Sequence, residues 1–227
     1  MQQSLGILML DTKFPRIPGD IGNPDTFSFP VQKLMVKGAD PKRVVQEGDP
    51  ALLEPFLSAA AELERAGVSA ITTSCGFLAM FQQELAARVK IPVFASSLLQ
   101  VNLVSSTLAP GQCVGIMTAD SKKLDQRHFR GVGIEHTAKV VYGMEGTHFY
   151  DVFVGNSPQL DRELAEKNMV DVAKQMVREN PQVAAIVFEC TNMPPYAHAV
   201  SQAVGLPVYD ITTLARYIML GAGRTSF

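Results

Sequence analysis

Two stretches decide how this chain folds: VSAITTSC over Val68–Cys75 and VAAIVFEC over Val183–Cys190. Laid on each other at an offset of 115 residues, each runs through apolar and β-branched residues and ends on a cysteine. The Ile-Pro-Val-Phe of Ile91–Phe94 falls on the Leu-Pro-Val-Tyr of Leu206–Tyr209 at the same offset. At an offset of 109, Leu5-Gly6-Ile7 falls on Val114-Gly115-Ile116 and Asp11 on Asp120, the difference being loop length. Such self-similarity marks a duplicated unit. The chain therefore reads as two similar lobes facing each other, residues 1–95 plus 211–227 and residues 96–210.

Outward from these stretches, short β-rich runs alternate with helical patterns, the signature of βαβ units and a largely parallel sheet. Strands are expected near Ser4–Leu10, Val31–Val36, Val68–Ser74, Val93–Ala95, Cys113–Thr118, Ile134–Val141, Val183–Glu189 and Leu206–Tyr209. Leu52, Leu53, Phe56, Leu57, Ala60 and Leu63 recur at helical spacing up to Gly67, which reads as a C′ stop, with Pro55 marking a start or kink. Ser157-Pro158 has the chemistry of an N-cap followed by N1 for a long helix to about Asn180. The fold class is thus α/β, with two pseudo-symmetric lobes, each a largely parallel sheet flanked by helices, and an active-site cleft between them.

Composition narrows the function classes. The chain has 227 residues, 47% hydrophobic, with 20 basic against 22 acidic side chains, as in ordinary globular proteins. A net charge of −2 with scattered basic residues offers no field to gather nucleic acid. Ile91–Ala119 carries no charged side chain, but Pro92, Pro110 and Gly111 break it into strand, helix and strand, so it reads as buried core and no membrane partner is expected. Three cysteines without a CxxC pair do not make a disulfide framework, and the N-terminus lacks the pattern of an export signal, so a cytoplasmic location is expected. His128, His136, His148 and His198 have no metal-ligand spacing, and GxSxG, Walker and GxGxxG motifs are absent, so neither metal nor cofactor is expected. Gly221-Ala-Gly223 reads as a frayed tail. Asp11–Pro30, with four prolines, is too long for a plain connector and reads as a lid or specificity loop, Lys13 or Arg16 meeting a substrate carboxylate.

Cys75 and Cys190 both sit where a buried strand gives out, at the carboxyl-end crevice where open α/β sheets bind ligands. A helix N-terminus following each would lower the thiol pKa and hold a carboxylate on its free N–H groups. Two thiols on opposite sides of one cleft suit proton transfer: one as thiolate takes a proton from carbon, the other as thiol returns one to the opposite face. Cys113, inside a strand, reads as an inert core thiol.

These residues resemble the aspartate/glutamate racemase superfamily, whose glutamate, aspartate and hydantoin racemases work without a cofactor. The family's Ala-Cys-Asn-Thr run corresponds to Ser74-Cys75-Gly76-Phe77, its Gly-Cys-Thr-His-Tyr-Pro to Glu189-Cys190-Thr191-Asn192-Met193-Pro194, and its Asp-Ser after the first strand to Asp11-Thr12. The resemblance implies Cys75 and Cys190 as the acid/base pair, with Asp11, Thr12, Ser74, Gly76, Phe77, Thr118, Thr191 and Asn192 binding substrate. Gly76-Phe77 replaces Asn-Thr and Asn192 replaces histidine, which brings the chain closer to the hydantoin-type members. The expected activity is a cofactor-independent racemase or epimerase of an amino acid or its derivative, acting on a small molecule with a carboxylate or hydantoin group, as a homodimer by analogy with the family. Three rivals remain open: a decarboxylase or cis-trans isomerase of the same fold, a non-catalytic amino-acid-binding protein, and redox sensing through a Cys75–Cys190 disulfide. Arylmalonate decarboxylases keep only the second-lobe cysteine, so Cys75 weighs against that version.

Overall fold

Eight short strands form where the apolar runs lie, and they assemble into two sheets of identical plan. A computed structural model describes residues 3–222. The first sheet has the order β2-β1-β3-β4, from β1 (Leu5–Met9), β2 (Val31–Met35), β3 (Ala70–Thr73) and β4 (Val93–Phe94); the second has the order β6-β5-β7-β8, from β5 (Cys113–Thr118), β6 (Lys139–Gly143), β7 (Val183–Phe188) and β8 (Val208–Tyr209). Every neighbouring pair is parallel. The central strands β1, β3, β5 and β7 are almost wholly buried, as helices on both faces of a parallel sheet require.

The flanking helices are α1 (Leu53–Arg65), α2 (Gln82–Arg88), α3 (Val101–Ser105), α4 (Gln126–Gly131), α5 (His148–Phe153), α6 (Arg162–Glu179), α7 (Ala197–Val204) and α8 (Ile211–Ala222). The matched glycines of the repeat do the same work in both lobes. A Cβ on Gly6 would press on Leu63 of α1 at 3.0 Å, and one on Gly115 on Met176 of α6 at 2.7 Å. Each glycine lets the helix before the third strand close on the central strand. Pro55 lies in the first turn of α1, where its missing N–H costs nothing, and Gly67, at φ +83°, turns the chain out of the helix. Helix α8 packs Ile211, Leu214, Ala215 and Met219 on Leu5, Ile7 and Phe94 of the first sheet.

Three local expectations move. Helix α6 begins later than Ser157-Pro158: Asp161 is its N-cap, accepting from the Leu164 N–H at 3.0 Å, while Ser157 caps only a turn through the Gln159 N–H. Strand β6 starts at Lys139 rather than Ile134, because Gly133 at φ +72° turns the chain and the Ile134 N–H closes back on Phe129 of α4. Gly221 lies inside α8 rather than in a frayed tail, and Gly223 lies outside the described residues, as do the remaining residues to 227. Residues 91–119 divide into β4, a 3₁₀ turn at Ser97–Gln100, α3 and β5. Among the described residues, no helix is long and apolar enough to cross a membrane.

Candidate active site

The two cysteines are placed by equivalent backbone bonds. Past the end of β3 the Ser74 N–H donates to the Leu8 carbonyl at 2.9 Å, and past the end of β7 the Glu189 N–H donates to the Met117 carbonyl at 2.8 Å. Each bond holds the next residue, Cys75 or Cys190, at the carboxyl end of its sheet. The N–H two residues on faces each sulfur, from Phe77 to Cys75 and from Asn192 to Cys190. The two strand ends meet directly, since the Thr191 hydroxyl donates to the Ser74 carbonyl at 2.6 Å and the Ser97 hydroxyl donates to the Phe188 carbonyl. Both thiols are free and buried, and both line one cavity.

That cavity has a polar half, made by Ser74, Cys75, Gly76, Glu189, Cys190, Thr191 and Asn192, and an apolar half that includes Leu10, Phe14, Val45, Phe153 and Val154. Its free volume is about 20 Å³, room for roughly one water. A substrate of several heavy atoms enters only when the cleft opens. The segment that closes it is the long β1–β2 loop. Phe14 meets Phe153 edge-on at 5.0 Å, the Lys13 N–H donates to Asn156 Oδ1 at 2.7 Å, and Gly19, at φ +98°, lies so close to Pro195 that a Cβ would crowd its backbone.

From that loop a chain of charge and hydrogen bonds runs inward and ends on a thiol. Arg16 donates to Asp20 Oδ1 at 2.8 Å, Asn192 Nδ2 donates to Asp20 Oδ2 at 2.6 Å, and the Cys190 thiol donates to Asn192 Oδ1 at 3.5 Å. On the other side, Glu189 is fully buried, with Oε2 accepting from the Thr118 hydroxyl at 2.7 Å. Burial pushes its carboxyl up to about 7, against the pull of Thr118 and the Ala119 N–H. The thiols do not have the lowered pKa expected at a helix start. Burial raises both, the neighbouring Glu189 charge raises them further, and only the single N–H at each sulfur, with Arg16 for Cys75, pulls the other way. No helix start offsets that burial, because short 3₁₀ turns, Gly76–Phe81 and Pro194–Tyr196, intervene before α2 and α7.

Of the expected site residues, Ser74, Cys75, Gly76, Phe77, Cys190, Thr191 and Asn192 line the cavity. Thr118 does not line it and acts on Glu189 instead. Asp11 is exposed and Thr12 accepts from Arg16; neither lines the cavity, because the chain leaves the sheet after Leu10 and turns outward. Arg16 meets the protein's own Asp20 rather than an open subsite, and Lys13 contributes its backbone. Glu189, Asp20 and Phe153 have no counterpart in the sequence reading; the one available signal was a charged residue, Glu189, closing an otherwise apolar strand. Cys113 is a buried core thiol of β5. His128 is likewise structural, its Nδ1 accepting from the Asp125 N–H at the start of α4.

Comparison with known proteins agrees with this architecture. The family model described as Asp/Glu/hydantoin racemase matches residues 36–216. Among curated proteins, the "Dimethylsulfoniopropionate lyase" of Durusdinium sp. clade D is 33% identical over 226 residues, covering 96% of this chain and 74% of that protein. "Dimethylsulfoniopropionate lyase 7" of Emiliania huxleyi (strain CCMP1516) is 31% identical over 221 residues, covering 92% of this chain and 64% of that one. Some relatives are much longer, the chain spanning 44% of lyase 5 of the same organism. Among solved structures, unliganded arylmalonate decarboxylase superposes with a TM-score of 0.66 at 14% identity over 99% of this chain and 94% of that one. Picrophilus torridus aspartate racemase does so with a TM-score of 0.62 at 14% identity over 99% and 96%. With the family pattern spanning most of its length and the two-sheet plan of the racemase fold, the chain belongs to the Asp/Glu/hydantoin racemase family.

Proposed function

We propose that a cysteine thiolate of this chain takes the proton from the carbon next to a carboxylate, and that the substrate is dimethylsulfoniopropionate, split into dimethyl sulfide and acrylate. The names of relatives that match nearly the whole chain support that substrate. The observation that carries it is the apolar half of the cavity. Its side chains give an ammonium group no acceptor, whereas two methyl groups on a sulfonium suit an apolar wall and its charge suits aromatic rings. The electrons balance simply. The Cα–H bond gives its proton to sulfur and its pair to a new Cα–Cβ double bond, and the Cβ–S bond breaks with its pair on neutral dimethyl sulfide. The cysteine later loses the proton to solvent. The Phe77 and Asn192 N–H groups stabilise the thiolate, while the Gly76 and Thr191 backbone and the Ser74 hydroxyl hold the carboxylate.

A second reading, racemisation or epimerisation of an amino acid or hydantoin, is favoured by a different observation: two thiols, not one, line the cavity. Proton NMR in D₂O separates the two. Dimethylsulfoniopropionate, enantiopure amino acids and 5-substituted hydantoins are each incubated with the wild type and with Cys75→Ser and Cys190→Ser. Acrylate and dimethyl sulfide, lost with at least one of the substitutions, support the lyase. Deuterium at Cα of the opposite enantiomer, lost with either substitution, supports the racemase. Intact α-protons in every substrate overturn both.

A further inference from the structure

Glu189 is a buried titratable group of the cavity that two-thiol proton transfer leaves unused. It is fully buried, and its two oxygens differ: Oε2 accepts from the Thr118 hydroxyl at 2.7 Å, whereas Oε1 has no partner among the described residues. A neutral carboxylic acid has one oxygen that accepts and one that carries a hydrogen. Thr118 makes Oε2 the accepting oxygen, which leaves the hydrogen to Oε1. Glu189 lines the cavity beside Gly76, so close that a Cβ on Gly76 would overlap Oε1.

We propose that Glu189 is a catalytic acid, held protonated when substrate is bound, whose Oε1–H donates to the substrate carboxylate and stabilises the enediolate formed as the Cα proton leaves. This deepens the α-proton reading above and rests on it. No Lys or Arg among the described residues lines the cavity, so a carboxylate entering it meets no cation. An ionised Glu189 would repel both that carboxylate and a thiolate, while the neutral acid supplies a hydrogen bond that strengthens as charge builds on the substrate oxygens. The groups facing it are Cys75 past β3, Cys190 past β7, the Thr118 hydroxyl of β5 and the Ser97 hydroxyl, which reaches the Glu189 carbonyl at 3.4 Å; Asp20 and Arg16 lie on the Cys190 and Asn192 side. Burial already brings Glu189 to about 7 in the empty site, and a bound carboxylate shifts it further toward the neutral form.

The test is the pH dependence of binding propionate and acrylate by calorimetry, which needs no turnover. With a free-site pKa near 7, wild-type affinity falls about tenfold between pH 6 and pH 8. Glu189→Gln, which keeps the shape and an N–H donor but cannot titrate, binds with little pH dependence. Thr118→Val, which removes a bond that holds the pKa down, moves the break to higher pH. A flat wild-type profile, no binding at pH 6, an unchanged slope in Glu189→Gln or an unmoved break in Thr118→Val would each overturn the assignment. Correct pH-dependent binding with intact α-protons in every substrate would sink the α-proton reading, and with it the enediolate role, while leaving Glu189 as the acid that binds carboxylates.

Discussion

Asparagine in place of Asp20 should reverse the hydrogen bond at the Cys190 sulfur. As a carboxylate, Asp20 only accepts, taking Arg16 and the Gly22 N–H on Oδ1 and the Asn192 amide on Oδ2. That requirement forces Asn192 to turn its NH₂ toward Asp20 and its oxygen toward Cys190, where it accepts from the thiol at 3.5 Å and favours the protonated form. In Asp20→Asn the new amide keeps its oxygen against Arg16 and Gly22, and its NH₂ then faces the NH₂ of Asn192. Asn192 flips to present oxygen to position 20 and N–H to sulfur. A hydrogen bond donated to a charged group contributes about 1.5–3 kcal/mol, which corresponds to a thiol pKa lower by about 1–2 pH units. Loss of the Asp20 charge, which raises Cys190, acts in the same direction. The assay is ultraviolet absorbance of the thiolate against pH in a Cys75→Ser, Cys113→Ser background, which needs no reagent to enter the closed cavity. An unchanged or higher midpoint would refute the argument that Asp20 sets the Asn192 orientation.

Gly76→Ala forces a Cβ into the Glu189 carbonyl and Oε1, and overpacking of a buried site costs about 1–3 kcal/mol. For a chain of this size the melting temperature should fall by about 2–12 °C, and a loss of less than 1 °C would show that the two strand ends do not pack as described. Arg16→Ala leaves Asp20 buried without its cation; with Arg16 slightly exposed, about 2–3 kcal/mol of loop closure is lost, and the opened loop becomes roughly 30–150-fold more populated. Limited proteolysis within residues 11–30 reads this directly, and equal cutting rates would count against the lid. His128 is held below its ordinary 6.5 chiefly by burial. The unfolded chain therefore binds its proton at a higher pH than the folded one, so this contribution to stability is present above about 6.5 and is lost as pH falls from there toward the depressed folded value. His128→Gln, which can still cap Asp125 from N3, should flatten the decline of melting temperature between pH 7 and pH 5, and an identical decline would contradict the assignment.

Much of the scaffold was readable because it depends on local pattern. All eight strands form, and the matched Gly6 and Gly115 explain why the repeat shows in sequence at all, since both positions must admit a helix. What failed locally was competition between equally good signals. Ser157-Pro158 and Asp161 are both proper caps, and only the packing of Ala165, Met169, Ala173 and Met176 decides between them. The site was half legible. Both cysteines line one cavity as their strand-end positions implied, but their electrostatics depend on what covers them, and Glu189 and the β1–β2 loop bury both thiols.

Glu189 escaped the sequence reading because the alignment of the halves hides how they meet. At the 115-residue offset, Ser74 lies on Glu189 and Gly76 on Thr191, small residues of one half on larger polar ones of the other. Across the cleft the pairing is crossed: Gly76 makes room for Glu189, and the Ser74 carbonyl accepts from Thr191. A duplicated fold brings like ends together, and two like ends with large side chains would collide while two with small ones would leave a void. Divergence at these positions therefore has to be complementary, the glycine of one lobe admitting the carboxyl of the other. The same asymmetry makes the two thiols inequivalent: Asn192 Oδ1 accepts from Cys190, while Phe77, at the matching position, has no side-chain acceptor to offer Cys75. Symmetric chemistry, in which the thiols exchange roles with the enantiomer bound, calls for near-equivalent surroundings. Unlike surroundings are better suited to a reaction that runs in one direction, with one thiol as base, which is what elimination demands.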